Sequence, residues 1–252
     1  MTLLIRYSQF IIITLVFMLS FHTQDVFAQG LIDSKHNLSM SGVGTVKAVS
    51  EARVCVFCHT PHKSLPEAPL WNRTMSGATY QMFDSMTLLS PSTVEGIKPD
   101  GESRLCLSCH DGTIAVGSVV NIGGSASTIS MQQELLPGNP GYLGTDLSGH
   151  HPISIELNSA LVTAKNTQCS GGLISWKVCI PLGGSEVMLQ PTQNDYPWTA
   201  SYPNVLGVQC TSCHDPHKDP DPPNTAFLRV GDRVNTDQLC TSCHVDCFFG
   251  CP

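Results

Sequence analysis

Cys55-Val56-Phe57-Cys58-His59-Thr60-Pro61-His62 is a Cys-x-x-Cys-His motif with a second histidine three residues on. The motif returns at Cys106-Leu107-Ser108-Cys109-His110, at Cys210-Thr211-Ser212-Cys213-His214 and at Cys240-Thr241-Ser242-Cys243-His244. Two thiols at this spacing can form thioether bonds to the two vinyl groups of a haem. The histidine that follows then lies against the iron as its proximal ligand. One copy would equally suit zinc or thiol redox chemistry. Four copies, each with histidine in fifth place, point to four covalently bound haems c. The thioether cysteines are then Cys55, Cys58, Cys106, Cys109, Cys210, Cys213, Cys240 and Cys243, and the proximal ligands are His59, His110, His214 and His244.

Working outward, the N-terminus reads as an export signal over residues 1–28. Arg6 supplies the positive start, Phe10 to Phe21 an apolar run, and Val26-Phe27-Ala28 a small-residue cleavage site. The run falls short of the roughly 20 residues a bilayer span needs, so no membrane span is expected once the signal is removed. The remainder is rich in turn formers, with 21 glycines and 17 prolines in the whole chain, while charged residues are 13% and aromatic residues 7%. Such a chain is expected to be loop-rich, with short helices at the haem motifs, and to fold around porphyrins that supply the missing apolar bulk. A formal charge of −7 with 13 Lys and Arg argues against nucleic acid and anionic lipid as partners. Twelve cysteines suit an oxidising compartment.

Along the chain, residues 31–54 read as an extended arm carrying His36. Pro66, Pro69, Pro91 and Pro99 rule out long helices between the first two motifs. Trp71, Tyr80 and Phe83 are expected on haem faces. Met40, Met75, Met82, Met86 and Met131 read as gap fillers more than as ligands. Residues 121–149 read as surface loop, and the region of about 160–200, with its Gly-Gly turns, as a small β-hairpin or meander.

The motifs form two pairs. The first and third continue as His-x-Pro-His-Lys, through His62-Lys63 and His217-Lys218, and the second and fourth are preceded by Leu105 and Leu239. Each pair has an upstream histidine, His36 for the first and His150 or His151 for the second. The unit reads as a duplicated dihaem module, 29–145 and 146–252, the second carrying the hairpin insertion. His36, His62, His150, His151 and His217 are then the candidates for four distal iron positions, enough for bis-histidine ligation throughout. His62 stands too near His59 to reach the far face of the same haem, so it points to a neighbouring one. Cys169, Cys179, Cys247 and Cys251 lie outside the motifs and are disulfide candidates. Local pairing, Cys169 with Cys179 and Cys247 with Cys251, would close the hairpin and brace the tail, with free thiols or a metal site as the alternative.

On these stretches, and on Lys35 to Ser39 and Asp146 to Pro152, the chain resembles the multihaem cytochromes c with doubled Cys-x-x-Cys-His motifs. It is similar to tetrahaem outer-surface cytochromes, some of which polymerise into electron-conducting filaments. The resemblance implies that the histidine before Pro-Ile ligates, His151 rather than His150. It also implies redox-partner cytochromes, a homopolymer and an extracellular metal-oxide acceptor as partners. It further implies that a histidine of one subunit can complete a haem of the next, a role that His36 on its arm would suit.

The function expected is electron transfer, not catalysis, outside the cytoplasm at the outer surface or in the periplasm, because bis-histidine iron has no open position and a low potential. A soluble periplasmic shuttle is the alternative of the same class. A multihaem reductase would need an open iron, and a zinc-stapled binding module would not need the histidine after each second cysteine.

Overall fold

The computed structural model describes residues 29–64, 70–84, 99–123, 128–157, 159–170, 176–181, 187–191, 206–218, 226–231 and 236–249. The export signal and its cleavage point lie outside these residues, as do Met86 and Cys251.

Each haem motif sits on a helical turn, because thiols three residues apart come to one face only when the backbone is helical. The first is a 3₁₀ turn at Cys55–Phe57. The second closes α2, Gly101–His110, which follows the one-turn α1, Gln29–Ile32. The third is α4, Cys210–Cys213, and the fourth overlaps α5, Asp237–Thr241. In α2, Glu102 lies in the first turn, where a negative charge is favourable to the helix dipole. The chain leaves α2 through Gly112, at φ +69°, where a Cβ would run into the Tyr142 ring.

Two small antiparallel sheets complete the fold. One has the order β1-β4-β3, from Ile155–Glu156, Leu206–Val208 and Gln190–Pro191. The other pairs β2, Trp176–Val178, with β5, His244–Asp246. The fold is therefore loop-rich with short helices at the motifs. The apolar core is thin: Ala48, Val56, Phe57, Val119 and Ile129, with Leu38, Cys58, Ile122 and Met131 against them. Many of the most buried side chains are polar, among them Asn37, Asn72, Arg73, Asp111 and Gln209.

Three expectations change. Residues 31–54 are not an extended arm. Asn37 donates to the Ile32 carbonyl at 2.7 Å and accepts from Ser39, and Ala48 and Met40 pair back to Leu38 and Glu51. Side-chain turns of this kind leave no periodic signature. The region about 160–200 is not a local hairpin either, for Ser159–Ser170 is α3. Ala160, Leu161, Ala164, Lys165 and Gln168 are good helix formers. The strand that follows finds its partner at the end of the chain. The third change is the disulfide: Cys169 bonds Cys247, not Cys179, with Cα atoms 5.7 Å apart across 78 residues. Cys179 is also disulfide-bonded, and its partner lies outside the described residues. The β2–β5 pairing brings both ends of the long link together. Among the described residues no helix is long and apolar enough to cross a membrane.

Candidate haem centres

At the first motif the His59 backbone N–H donates to the Cys55 carbonyl at 2.8 Å, which closes the turn. The chain then comes back beside it. Thr60 N–H donates to the Leu70 carbonyl at 2.9 Å and Asn72 N–H to the Cys58 carbonyl at 2.8 Å. The third motif repeats the pattern, with Asp215 to Phe227 at 2.8 Å and Arg229 to Cys213 at 2.9 Å. Leu70 and Phe227, at matching places, both take the left-handed backbone, with φ 65° and 55°. Neither is glycine, and backbone strain held twice at equivalent positions points to a functional constraint.

Three histidine pairs form across the fold. His36 and His110 have ring centres 5.9 Å apart, His59 and His217 6.0 Å, and His151 and His244 6.1 Å. A metal–imidazole nitrogen bond is about 2 Å, and the ring centre lies about 1 Å beyond it, so two imidazoles on opposite sides of one ion stand about 6 Å centre to centre. Each pair joins one proximal histidine to one distal candidate. Of the adjacent pair, His151 is the one beside His244, while His150 is exposed with its N–H on the Leu147 carbonyl. His62 is exposed, its carbonyl accepting from Thr60 Oγ1 and Asn121 Nδ2.

The ring nitrogens not needed for iron are occupied. His110 Nδ1 bonds the Gly141 carbonyl at 2.6 Å, His214 Nδ1 the Ala226 carbonyl at 2.5 Å, and His151 Nδ1 the Pro152 carbonyl at 2.9 Å. The Leu70 backbone lies near His59 and favours its charged form. Bonding Nδ1–H to a carbonyl fixes the tautomer and leaves Nε2 as the outward donor atom, the arrangement of a metal-ligating histidine. Burial pushes the His36 imidazole down to about 4, and the neighbouring His110, His217 and His214 push the same way. Burial also lowers His59 and His110, against the opposing pull of the backbone beside them. These imidazoles are thus held neutral, the form that binds iron. The residues present fit haem c at the motifs. Among the described residues no cluster of three or more His, Cys, Asp or Glu could hold a bare metal ion.

His36 stacks on Phe227 at 4.4 Å with rings 6° from parallel. It is thereby seated within its own chain, against Phe227 and His110, and this arrangement does not suit the role of donor to a neighbouring subunit. Trp71 meets His59 edge-on at 5.8 Å, and Tyr80 donates to Asp111 at 2.5 Å.

A family model described as "Doubled CXXCH motif" matches residues 203–247, which hold the third and fourth motifs. That supports a c-type cytochrome-like protein. The motifs indicate covalently bound haem c and an electron-transfer role. No curated protein matches the chain.

A polar clamp that the motifs do not announce joins the second centre to the third. Gln209, immediately before Cys210, is buried; its Nε2 donates to Asp100 at 2.6 Å and its Oε1 accepts from Ser103 Oγ at 2.5 Å. Cys210 N–H donates to Ser103 Oγ at 3.0 Å, and Thr211 Oγ1 donates to Glu102. The contact locks the N-terminal turn of α2 to α4. Gln209 and Ser103 carry no sequence signal beyond being polar.

Proposed function

We propose that the chain is a tetrahaem c-type cytochrome that conducts electrons through bis-histidine centres. The observation that carries the reading is the set of three imidazole pairs, each at about the centre-to-centre span of two rings that share one ion. Haem bound at each motif would supply a one-electron ferric–ferrous couple. The eight motif thiols would hold it, and His59, His110, His214 and His244 would take its proximal side. His217, His36 and His151 would take the distal side of the first, second and fourth centres. The fourth distal place, opposite His214, falls to His62, the counterpart of His217 in the repeat. With imidazole on both sides of each iron, a substrate finds no open position, which favours a carrier over a reductase.

The distal set also sets the spacing. His214 and His217 lie three residues apart and serve different centres, so the third and first centres are tethered by one short loop. Such closeness is what transfer between haems needs. The centres would form a continuous chain that takes electrons from a redox-partner cytochrome and delivers them outside the cytoplasm. Assembly into an extracellular filament that passes charge to a metal-oxide acceptor is the extended form of this proposal; a soluble periplasmic shuttle is its compact form.

The test is a pyridine haemochrome assay and intact mass of the mature protein, followed by electron paramagnetic resonance and carbon monoxide titration. Four covalent haems, low-spin signals and no carbon monoxide binding are expected. Fewer than four haems, or a native high-spin iron that binds carbon monoxide, would overturn the tetrahaem carrier.

A further inference from the structure

Phe227 follows the third motif, yet its ring serves a residue far from that motif. It lies face to face with His36, ring centres 4.4 Å apart and planes 6° from parallel. Stacking of this kind holds a flat ring in one plane. The backbone behind the phenyl is pinned on both sides. The Phe227 carbonyl accepts from the Asp215 N–H at 2.8 Å, the Ala226 carbonyl takes His214 Nδ1 at 2.5 Å, and the Arg229 N–H donates to the Cys213 carbonyl at 2.9 Å. A φ of 55° at so bulky a residue persists only where its surroundings enforce it. One short segment thus holds His214 through a carbonyl and His36 through a phenyl face.

The repeat separates what the backbone needs from what the side chain does. Leu70 takes the matching place after the first motif, with φ 65° and its carbonyl on the Thr60 N–H. It is 55% exposed. The loop itself therefore does not call for an aromatic ring, and the phenyl at 227 is accounted for by His36.

His36 lacks the anchor of its counterparts. His110, His214 and His151 each bond a backbone carbonyl through Nδ1. Among the described residues no hydrogen bond reaches the His36 ring, whose own backbone N–H bonds Ser34 Oγ at 3.1 Å. Its plane is set by Phe227 instead. The facing ring of His110 is set by the Gly141 carbonyl, and the two planes cross at 68°. His151 and His244 cross at 64°, whereas His59 and His217 lie 22° from parallel.

The angle between two imidazole planes on a low-spin ferric ion governs the splitting of the two d orbitals that meet the ligand π systems. Parallel planes split them and give an ordinary rhombic resonance. Crossed planes leave them nearly degenerate and give a resonance with one very large g value. We propose that Phe227 is a positioning residue for the second centre: its ring holds the His36 imidazole crossed to that of His110. The inference rests on the bis-histidine reading above.

The experiment is electron paramagnetic resonance of the oxidised holoprotein with spin integration, on the wild type, Phe227→Leu and Phe227→Tyr. The wild type is expected to show large-g resonances from the second and fourth centres and a rhombic one from the first. Phe227→Leu, which copies Leu70, should keep four haems and bind no carbon monoxide, yet lose one iron's worth of large-g intensity. Phe227→Tyr keeps the flat face and should retain that intensity. A side chain that merely filled space would lower the denaturation midpoint and leave the resonances where they were. Unchanged large-g intensity in four-haem Phe227→Leu would overturn the proposal, as would the same loss in Phe227→Tyr. If Phe227→Leu yields no holoprotein, His36→Ala with added imidazole decides. Imidazole bound against Phe227 should bring the large-g signal back, and a rhombic low-spin signal in its place would overturn the proposal. Wild-type protein without covalent haem, or a His36→Ala protein with no opened iron, would instead defeat the haem reading and its ligand assignment.

Discussion

At the residue scale, each histidine proposed for a distal place would be a single replaceable ligand. His217→Ala should open one iron of the four, so carbon monoxide binding to the reduced protein should rise from none to one equivalent per chain. The adjacent pair at 150 and 151 gives a sharper comparison. His151→Ala should open one iron, because that ring stands 6.1 Å from His244. His150→Ala should leave the spectrum unchanged, and carbon monoxide binding in that variant alone would reverse the assignment. His36→Ala should likewise open one iron in the monomer, since its ring is seated against His110 and Phe227 of the same chain. The motif histidines stood out in the sequence because the motif is local. The histidines that lie beside three of them were legible only as a pool, since the identity of a histidine does not say which ring it faces.

At the element scale, the Gln209 amide makes two of the hydrogen bonds that join α2 to α4. Gln209→Leu would leave Asp100 and Ser103 buried without it, and each orphaned group costs about 1–3 kcal/mol. The midpoint of chemical denaturation of the holoprotein, followed through the haem bands, should fall accordingly; an unchanged midpoint would show that the clamp is idle. The second element-scale feature is the link from α3 to the chain end. Proteolysis without reduction should release a peptide containing Cys169 joined to the C-terminal peptide containing Cys247. Cys169→Ser should lower stability by about 2–4 kcal/mol. A fragment joining Cys169 to Cys179 instead would restore the local pairing that spacing suggested. The error in that reading has a physical cause. Alternation marks a strand but not its partner, and β2 pairs with a strand reached only through the fourth motif.

At the scale of the whole molecule, the proposed ligand set would have one motif's loop serve another motif's iron. His217 belongs to the third motif's loop, yet its ring is beside His59 of the first. Damage to one motif should therefore spread. A Cys210→Ser, Cys213→Ser double variant should lose one haem and perturb a second, so two irons rather than one depart from the low-spin signal. If only one changes, the halves are independent modules. The apolar cluster around Phe57 is small, five buried residues with a few partners, so such damage is expected to be felt across the molecule. Haem held at the motifs would add to that cohesion. Electron microscopy of purified material separates the filament from the shuttle at this scale.

What the sequence alone determined is the chemistry: the Cys-x-x-Cys-His spacing specifies a cofactor class and its near-side ligand within five residues, since a helical turn orients all three groups together. It also conveyed the looseness of the fold, because glycine, proline and the shortage of apolar residues act locally. The tertiary structure alone decided which imidazole faces which, that Cys169 reaches Cys247 across 78 residues, and that Arg73 is buried with its guanidinium on the backbone carbonyls of residues far along the chain. Those facts depend on where distant segments return, and no spacing along the chain carries that information.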